Sequence, residues 1–189
     1  MMNGPVVIGG SAGSFRIISK MVSILKPGFL FPLIICVHRN RAAYQGFIPA
    51  LSSQSAVAIQ EPVDGEEIKA GIVYIAPANR HLEFATENTF TLNDKPQQNY
   101  SRPSIDVTFN SAATVFGEDL TGILLTGANN DGAEGLKNIH DSGGMTIVQD
   151  PAEAEVSVMP QSAMDLFQPA HVLEADKIIN FIQNLADPR

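Results

Sequence analysis

Three residue types in this chain can combine into nucleophilic chemistry: a serine set among glycines, a histidine just past an apolar run, and an aspartate in a loop rich in glycine and asparagine. Gly9, Gly10, Ser11, Ala12 and Gly13 follow the apolar Val6, Val7 and Ile8, and glycine, any residue, serine, any residue, glycine is the pattern of a nucleophile elbow. Glycines on both sides let the backbone turn tightly and project the hydroxyl beyond a sheet edge, while the following helix N-terminus offers NH groups to an oxyanion. The same pattern also fits a serine that only caps a helix. A serine hydroxyl is a weak nucleophile until a base takes its proton, and histidine is the usual base near neutral pH. Among four histidines, His38 ends the apolar run Leu33, Ile34, Ile35, Cys36 and Val37, on the edge expected to carry Ser11. His81, beside Arg80, is the second choice, while His140 falls near a helix end and His171 opens a late strand. The third group is a carboxylate that holds the imidazole in one tautomer. Asp131 follows another apolar run, in the loop Thr126, Gly127, Ala128, Asn129, Asn130, Asp131 and Gly132. The competing roles are a surface position for His38 and a cap on its own following helix for Asp131.

Those groups meet only if the elements before them end on one edge of one sheet. Apolar runs bounded by turn residues alternate with stretches of helical period, the pattern of a layered α/β fold. Strands are expected at residues 6–8, 31–37, 57–59, 121–125, 145–148 and 171–173, and helices at 15–25, 104–115, 133–140 and 175–185, with Pro49 to Leu51 in a further helix. Residues 71–76, 81–85 and 89–92 alternate in period two around Glu87 and Asn88, which predicts antiparallel β structure with a hairpin. With 44% hydrophobic and 17% charged residues, the strands are expected to be buried on both faces. No repeat or linker divides residues 1–189, so a single domain is expected.

Several function classes fall away. The dinucleotide fingerprint fails at Gly9, Gly10, Ser11, Ala12, Gly13 and Ser14, and no lysine followed by serine or threonine closes a phosphate loop. A formal charge of -8 disfavours a nucleic-acid partner. No apolar run reaches the roughly 20 residues of a membrane span, and no export signal opens the chain. One cysteine, Cys36, forms no intrachain disulfide, compatible with a cytoplasmic location.

Residues 8–13 together with His38, Tyr74-Ile75-Ala76-Pro77, Arg80-His81-Leu82, Arg102-Pro103-Ser104-Ile105-Asp106, Leu125-Thr126-Gly127, Asp131-Gly132-Ala133, Gly143-Gly144, Gln149-Asp150 and Met159-Pro160 resemble, in that order, the CheB-type chemotaxis methylesterase. The resemblance implies a three-layer, doubly wound, mostly parallel α/β fold. It implies a serine esterase of glutamate γ-methyl esters on chemoreceptor helices, with glutamine deamidation as a related activity. Ser11 is then the expected nucleophile, His38 the base and Asp131 the orienting acid, with oxyanion NH groups near Ala12 and Ala128 and no metal or cofactor. Arg39, Arg80 and Arg102 are candidates for attracting the carboxylates of a methylated helix, or are solvated surface groups. Departures from the family pattern fall at Ala12, Ser14, Ala128 and Arg39-Asn40. A non-catalytic docking module for a receptor or signalling kinase is the competing function. The family's receiver domain has no counterpart here, so the chain is expected to act without a phosphodonor, with any regulator a separate protein.

Overall fold

A computed structural model of the chain describes residues 4–38 and 41–187, with residues 41–45 by backbone alone. In chain order the elements are β1 Val6–Gly10, α1 Ser14–Ile24, β2 Leu33–Val37, α2 Arg41–Ser52, β3 Ala58–Gln60, β4 Ile72–Ile75, β5 His81–Thr86, β6 Thr89–Asn93, α3 Ile105–Phe116, β7 Thr121–Leu124, α4 Ala133–Asp141, β8 Met145–Gln149, α5 Val158–Leu166, β9 His171–Leu173 and α6 Ala175–Ala186. Seven strands form one sheet in the order β3-β4-β2-β1-β7-β8-β9, and every adjacent pair in it runs parallel.

The central strands are unbroken apolar runs because helices cover both faces. Every residue of β1 and β2 is buried, and alternate side chains go to opposite cores. Val6, Ile8, Leu33 and Ile35 pack in one core with Ile18, Met21 and Val22 of α1 and Ile178 and Ile182 of α6. Val7, Ile34 and Cys36 pack in the other with Phe109 of α3, Leu136 and Ile139 of α4, and the β5–β6 hairpin. Each such fully buried side chain contributes about 1.5–3 kcal/mol relative to exposure, which makes the sheet a rigid base for the loops at its edge.

The doubly wound arrangement follows from the chain's path. From β1 it moves outward to β2 and beyond, then returns through α3 to β7 on the other side of β1. The carboxyl end of β1 is therefore the point where the winding reverses, and loops on its two sides diverge to leave a crevice. In register, Gly10 faces Val37 and Gly9 faces Leu124, so Ser11, His38 and the loop after β7 emerge together.

One expectation needs correction. Residues 71–76 do not join the antiparallel structure: β4 lies parallel between β2 and β3, and only β5 and β6 pair antiparallel. Both faces of β4 are covered, with Val73, Tyr74 and Ile75 all buried, so the run from Ile72 to Ala76 belongs with the continuous apolar strands. Helix α5 is an addition, since residues 158–166 carry no element in the sequence reading and Pro160 sits in its first turn. Proline is tolerated there since the first-turn NH groups have no partner within the helix, and Met159 and Ala163 anchor the helix by burial.

Candidate active site

Ser11 sits in the β1–α1 turn, whose geometry is set by its neighbours. Gly13 carries the left-handed conformation (φ 84°) at the start of α1, whereas Ser11 is not among the residues with positive φ. The strained serine of an α/β-hydrolase elbow is thus absent, and the turn places its strain on a glycine, which bears it freely. The Ser11 NH donates to Thr126 O at 2.9 Å, and its carbonyl accepts from Ser14 N at 3.1 Å and Ser14 Oγ at 2.7 Å. Both backbone groups are therefore committed to holding the turn, while the half-buried side chain makes no hydrogen bond among the described residues.

His38 leaves β2 beside it, its NH donating to Gly10 O at 3.3 Å. Ser11 and His38 are the first residues past register partners, about one parallel-strand spacing of 4.8 Å apart. His38 Nε2 lies 2.6 Å from Asp131 Oδ2. Because an ionised carboxylate only accepts, this bond puts the proton on Nε2 and leaves Nδ1 as the basic nitrogen. Among the described residues no hydrogen bond joins Ser11 to the ring; such contacts often tighten only when substrate binds.

Asp131 is fully buried and does cap a helix, but not its own. Its Oδ2 also accepts from Ile105 N at 2.8 Å, while Oδ1 accepts from Ser104 Oγ at 2.8 Å, Asp106 N at 3.1 Å and Asn99 Nδ2 at 3.2 Å. The carboxylate thus serves the first turn of α3, where the helix dipole also favours negative charge. Burial pushes its proton affinity up, but the bonds from His38, Ile105, Asp106 and Ser104 together outweigh that and hold the carboxyl below its ordinary value. The close approach of α3 needs glycine: a Cβ at Gly9 would lie 2.4 Å from Ile105 Cγ2, and one at Gly132 2.6 Å from the same atom.

Asp106 returns the favour across the helix pair, accepting from Gly135 N of α4 at 2.7 Å and from Asn99 Nδ2 at 2.7 Å. Burial first, then the neighbouring Asp131 charge and a hydrogen bond between the two carboxyl groups, push it up to about 6. The two acids have opposite effects on stability. Asp131, lowered on folding, stabilises the fold above the ordinary carboxylate range, and that contribution is lost as pH falls through its lowered value. Asp106, raised on folding, makes the native state the better proton binder between about 4 and 6, so stability falls as pH rises through that window. Asp106→Asn is expected to flatten the fall, which urea melts across the window would detect.

Sequence reasoning missed several supports. Thr126 is fully buried, and its hydroxyl lies 3.0 Å from both Ala12 O and Val156 O while accepting from Val156 N at 2.8 Å. It ties the Ser11 loop to the loop that carries Ala128. Ser104, expected at a helix start and within the family motif but given no role there, donates to Asp131, and its Oγ caps Val107 N at 3.4 Å. Ser104→Ala is expected to cost about 1–2 kcal/mol of stability, measurable by denaturant melts, with a smaller loss of turnover than any change at Asp131 because that carboxylate keeps its other donors. His81, the second candidate base, is fully buried; its Nδ1 accepts from Ser104 N at 3.2 Å and its Nε2 bonds Pro96 O at 3.0 Å. One ring nitrogen thereby holds the α3 start and the other the segment that leads to it.

The arginine candidates separate. Arg80 bonds Asp94 Oδ1 at 3.2 Å and Leu92 O at 2.9 Å. Arg102 bonds Asn79 Oδ1 at 2.8 Å, Asp94 O at 2.8 Å and Lys95 O at 3.1 Å. Arg80 thus binds β6 and the residue after it, and Arg102 binds the residues that flank the hairpin on either side. Arg39 lies outside the described residues. Ala12 and Ala128, the oxyanion candidates, are exposed at the tips of the two loops. A cleft of about 420 Å³ opens on the far side of the Ser11 turn, lined by Gly13, Arg16, Thr126, Gln149 and Glu155 but not by Ser11, His38 or Asp131. Among the described residues, no helix is long and apolar enough to cross a membrane.

Comparison with known proteins adds the chemical setting. Residues 6–182 match the CheB methylesterase family. A Leptospira interrogans protein is 40% identical over 173 residues, which cover 92% of this chain and 90% of that one. Protein-glutamate methylesterase/protein-glutamine glutaminase 2 of Anaeromyxobacter dehalogenans is 37% identical over 180 residues, 95% of this chain and 52% of that protein. The crystal structure of the Thermotoga maritima CheB methylesterase catalytic domain superposes with a TM-score of 0.90 at 30% identity, covering 98% of this chain and 99% of that one.

Proposed function

The chain belongs to the CheB methylesterase family, and we propose that it hydrolyses glutamate γ-methyl esters on methylated chemoreceptor helices in the cytoplasm, with deamidation of glutamine side chains as a second activity. The observation that carries this reading is the 2.6 Å contact of His38 Nε2 with Asp131 Oδ2, on the strand edge that also bears Ser11. Ser11 Oγ attacks the ester carbonyl as its proton passes to His38 Nδ1, while Asp131 holds the ring and stabilises its cationic form. NH groups near Ala12 and Ala128 receive the oxyanion. The imidazolium returns its proton to the departing methoxide, and methanol leaves. A water deprotonated by the same nitrogen then attacks the acyl-enzyme, releasing glutamate and restoring Ser11.

A protein substrate suits the surroundings of the site. Phe15 (42% exposed), in the first turn of α1 just past the Ser11 loop, and Val158 (47% exposed), beside Met159, whose NH donates to Gly127 O, offer apolar surface on the elements next to the Ser11 and Asp131 loops. Phe15 is braced edge-on by Phe47 at 5.3 Å. The reading is tested by incubating a methylated, partly amidated receptor cytoplasmic fragment with the purified chain and mapping its peptides by mass. Methyl groups are expected to leave defined glutamates, with some glutamines converted to glutamate. A receptor that binds but keeps its methyl groups would establish the docking role instead.

A further inference from the structure

The segment between β6 and α3 makes a tight turn in which Gln98 and Ser101 pair, with N–O distances of 2.8 and 3.2 Å. Its two middle residues, Asn99 (φ 49°) and Tyr100 (φ 60°), are both left-handed although neither is glycine. That conformation is unfavourable for a side-chain-bearing residue, and outer contacts hold it in place: Arg102 grips Asp94 O and Lys95 O, and His81 grips Pro96 O. What the turn accomplishes is to send the Asn99 amide inward. Its Nδ2 donates to Asp106 Oδ2 at 2.7 Å and to Asp131 Oδ1 at 3.2 Å, using one hydrogen for each. Among the described residues, Asn99 is the one side chain that donates to both carboxylates.

Two buried carboxylates this close repel, and the usual remedy is a proton shared between them. Such a proton would compete with His38 for the charge of Asp131. The other groups around the pair do not remove the conflict. His38 at the end of β2 serves Asp131 alone, His81 of β5 reaches only Ser104, α4 offers Asp106 the NH groups of Gly132 and Gly135, and Glu134 of α4 is exposed. We propose that Asn99 is a positioning residue of the site: its amide gives each carboxylate a donor and so weakens the pull of the pair on a shared proton, which keeps Asp131 an acceptor for His38 Nε2. The role in turnover rests on the esterase reading above; the clamp on the two acids does not.

The test titrates the Asp106 and Asp131 carboxyl carbons by NMR in the parent and in Asn99→Ala, and follows the acid limb of kcat/KM with a methylated receptor fragment. In Asn99→Ala, proton uptake by the pair is expected to move up by about one pH unit or more, with the acid limb following it. Turnover should be about tenfold lower on that limb and close to the parent's well above it. Asn99→Gly relaxes the left-handed backbone while removing the amide, so it should show the same shift. Asp106→Asn added to Asn99→Ala should bring the limb back, because it removes one charge and supplies an amide able to donate to Asp131. A pair that titrates at the parent's pH in Asn99→Ala or Asn99→Gly overturns the proposal, as does an activity loss uniform across pH. A parent chain that demethylates nothing contradicts the esterase reading, and the carboxyl titration still decides the clamp.

Discussion

Ser11→Ala is expected to lower kcat for a glutamate methyl ester by about 10⁶-fold, the scale found when the serine of a triad is removed from a serine hydrolase. The change deletes one oxygen and leaves intact the backbone contacts that form the turn, Ser11 N to Thr126 O and Ser14 to Ser11 O. The melting transition should therefore match the parent's, and the loss can be assigned to chemistry. Ser14 provides the internal contrast. It is a second hydroxyl three residues away, but it is buried and its Oγ donates to Ser11 O, so Ser14→Ala should loosen the turn without removing the reacting group. Steady-state methanol release by the three proteins separates the cases. Equal kcat for Ser11→Ala and the parent would exclude Ser11 as nucleophile.

Asp131→Asn carries the second large effect, a loss of order 10⁴ in kcat, the scale for the same change in a serine protease. The geometry adds a structural penalty that an exposed acid would not incur. Oδ2 accepts from Ile105 N as well as His38, and Oδ1 accepts from Asp106 N as well as Ser104. Whichever way the new amide turns, its NH₂ meets a backbone NH, and one buried donor is left unpaired at a cost of about 1–3 kcal/mol. If the NH₂ faces His38, it also forces the ring into the tautomer that offers Ser11 no lone pair. Asp131→Asn should thus lower both turnover and the urea midpoint, and a variant with parental kcat would remove Asp131 from the mechanism.

The parts of this molecule that were legible in the sequence are those in which local pattern and tertiary demand agree. Val6, Val7, Ile8 and the run from Leu33 to Val37 read as buried strands and are such strands, because a central parallel strand needs apolar residues on both faces. Ser11, His38 and Asp131 stood out because each follows such a strand at the same edge. Where one signal served two structures, the reading diverged. Period-two alternation placed residues 71–76 with the hairpin, although β4 belongs to the parallel sheet. Asp131 in a glycine turn signalled a helix cap, yet nothing local could say that the helix it caps is α3, which lies earlier in the chain. The roles of Thr126, Ser104, His81 and Asn99 were hidden for the same reason. Each acts through partners between 7 and 114 positions away, and no spacing rule links a side chain to a contact made only when loops from separate strands converge.

The most direct test of the central claim is to quench the parent chain during turnover of a methylated receptor fragment, digest it, and locate the acyl group by mass spectrometry. Receptor peptide is expected joined through its glutamate carbonyl to the fragment containing Ser11, with no such adduct in Ser11→Ala. Turnover with the acyl group on any other residue, or undiminished turnover in Ser11→Ala, would contradict it.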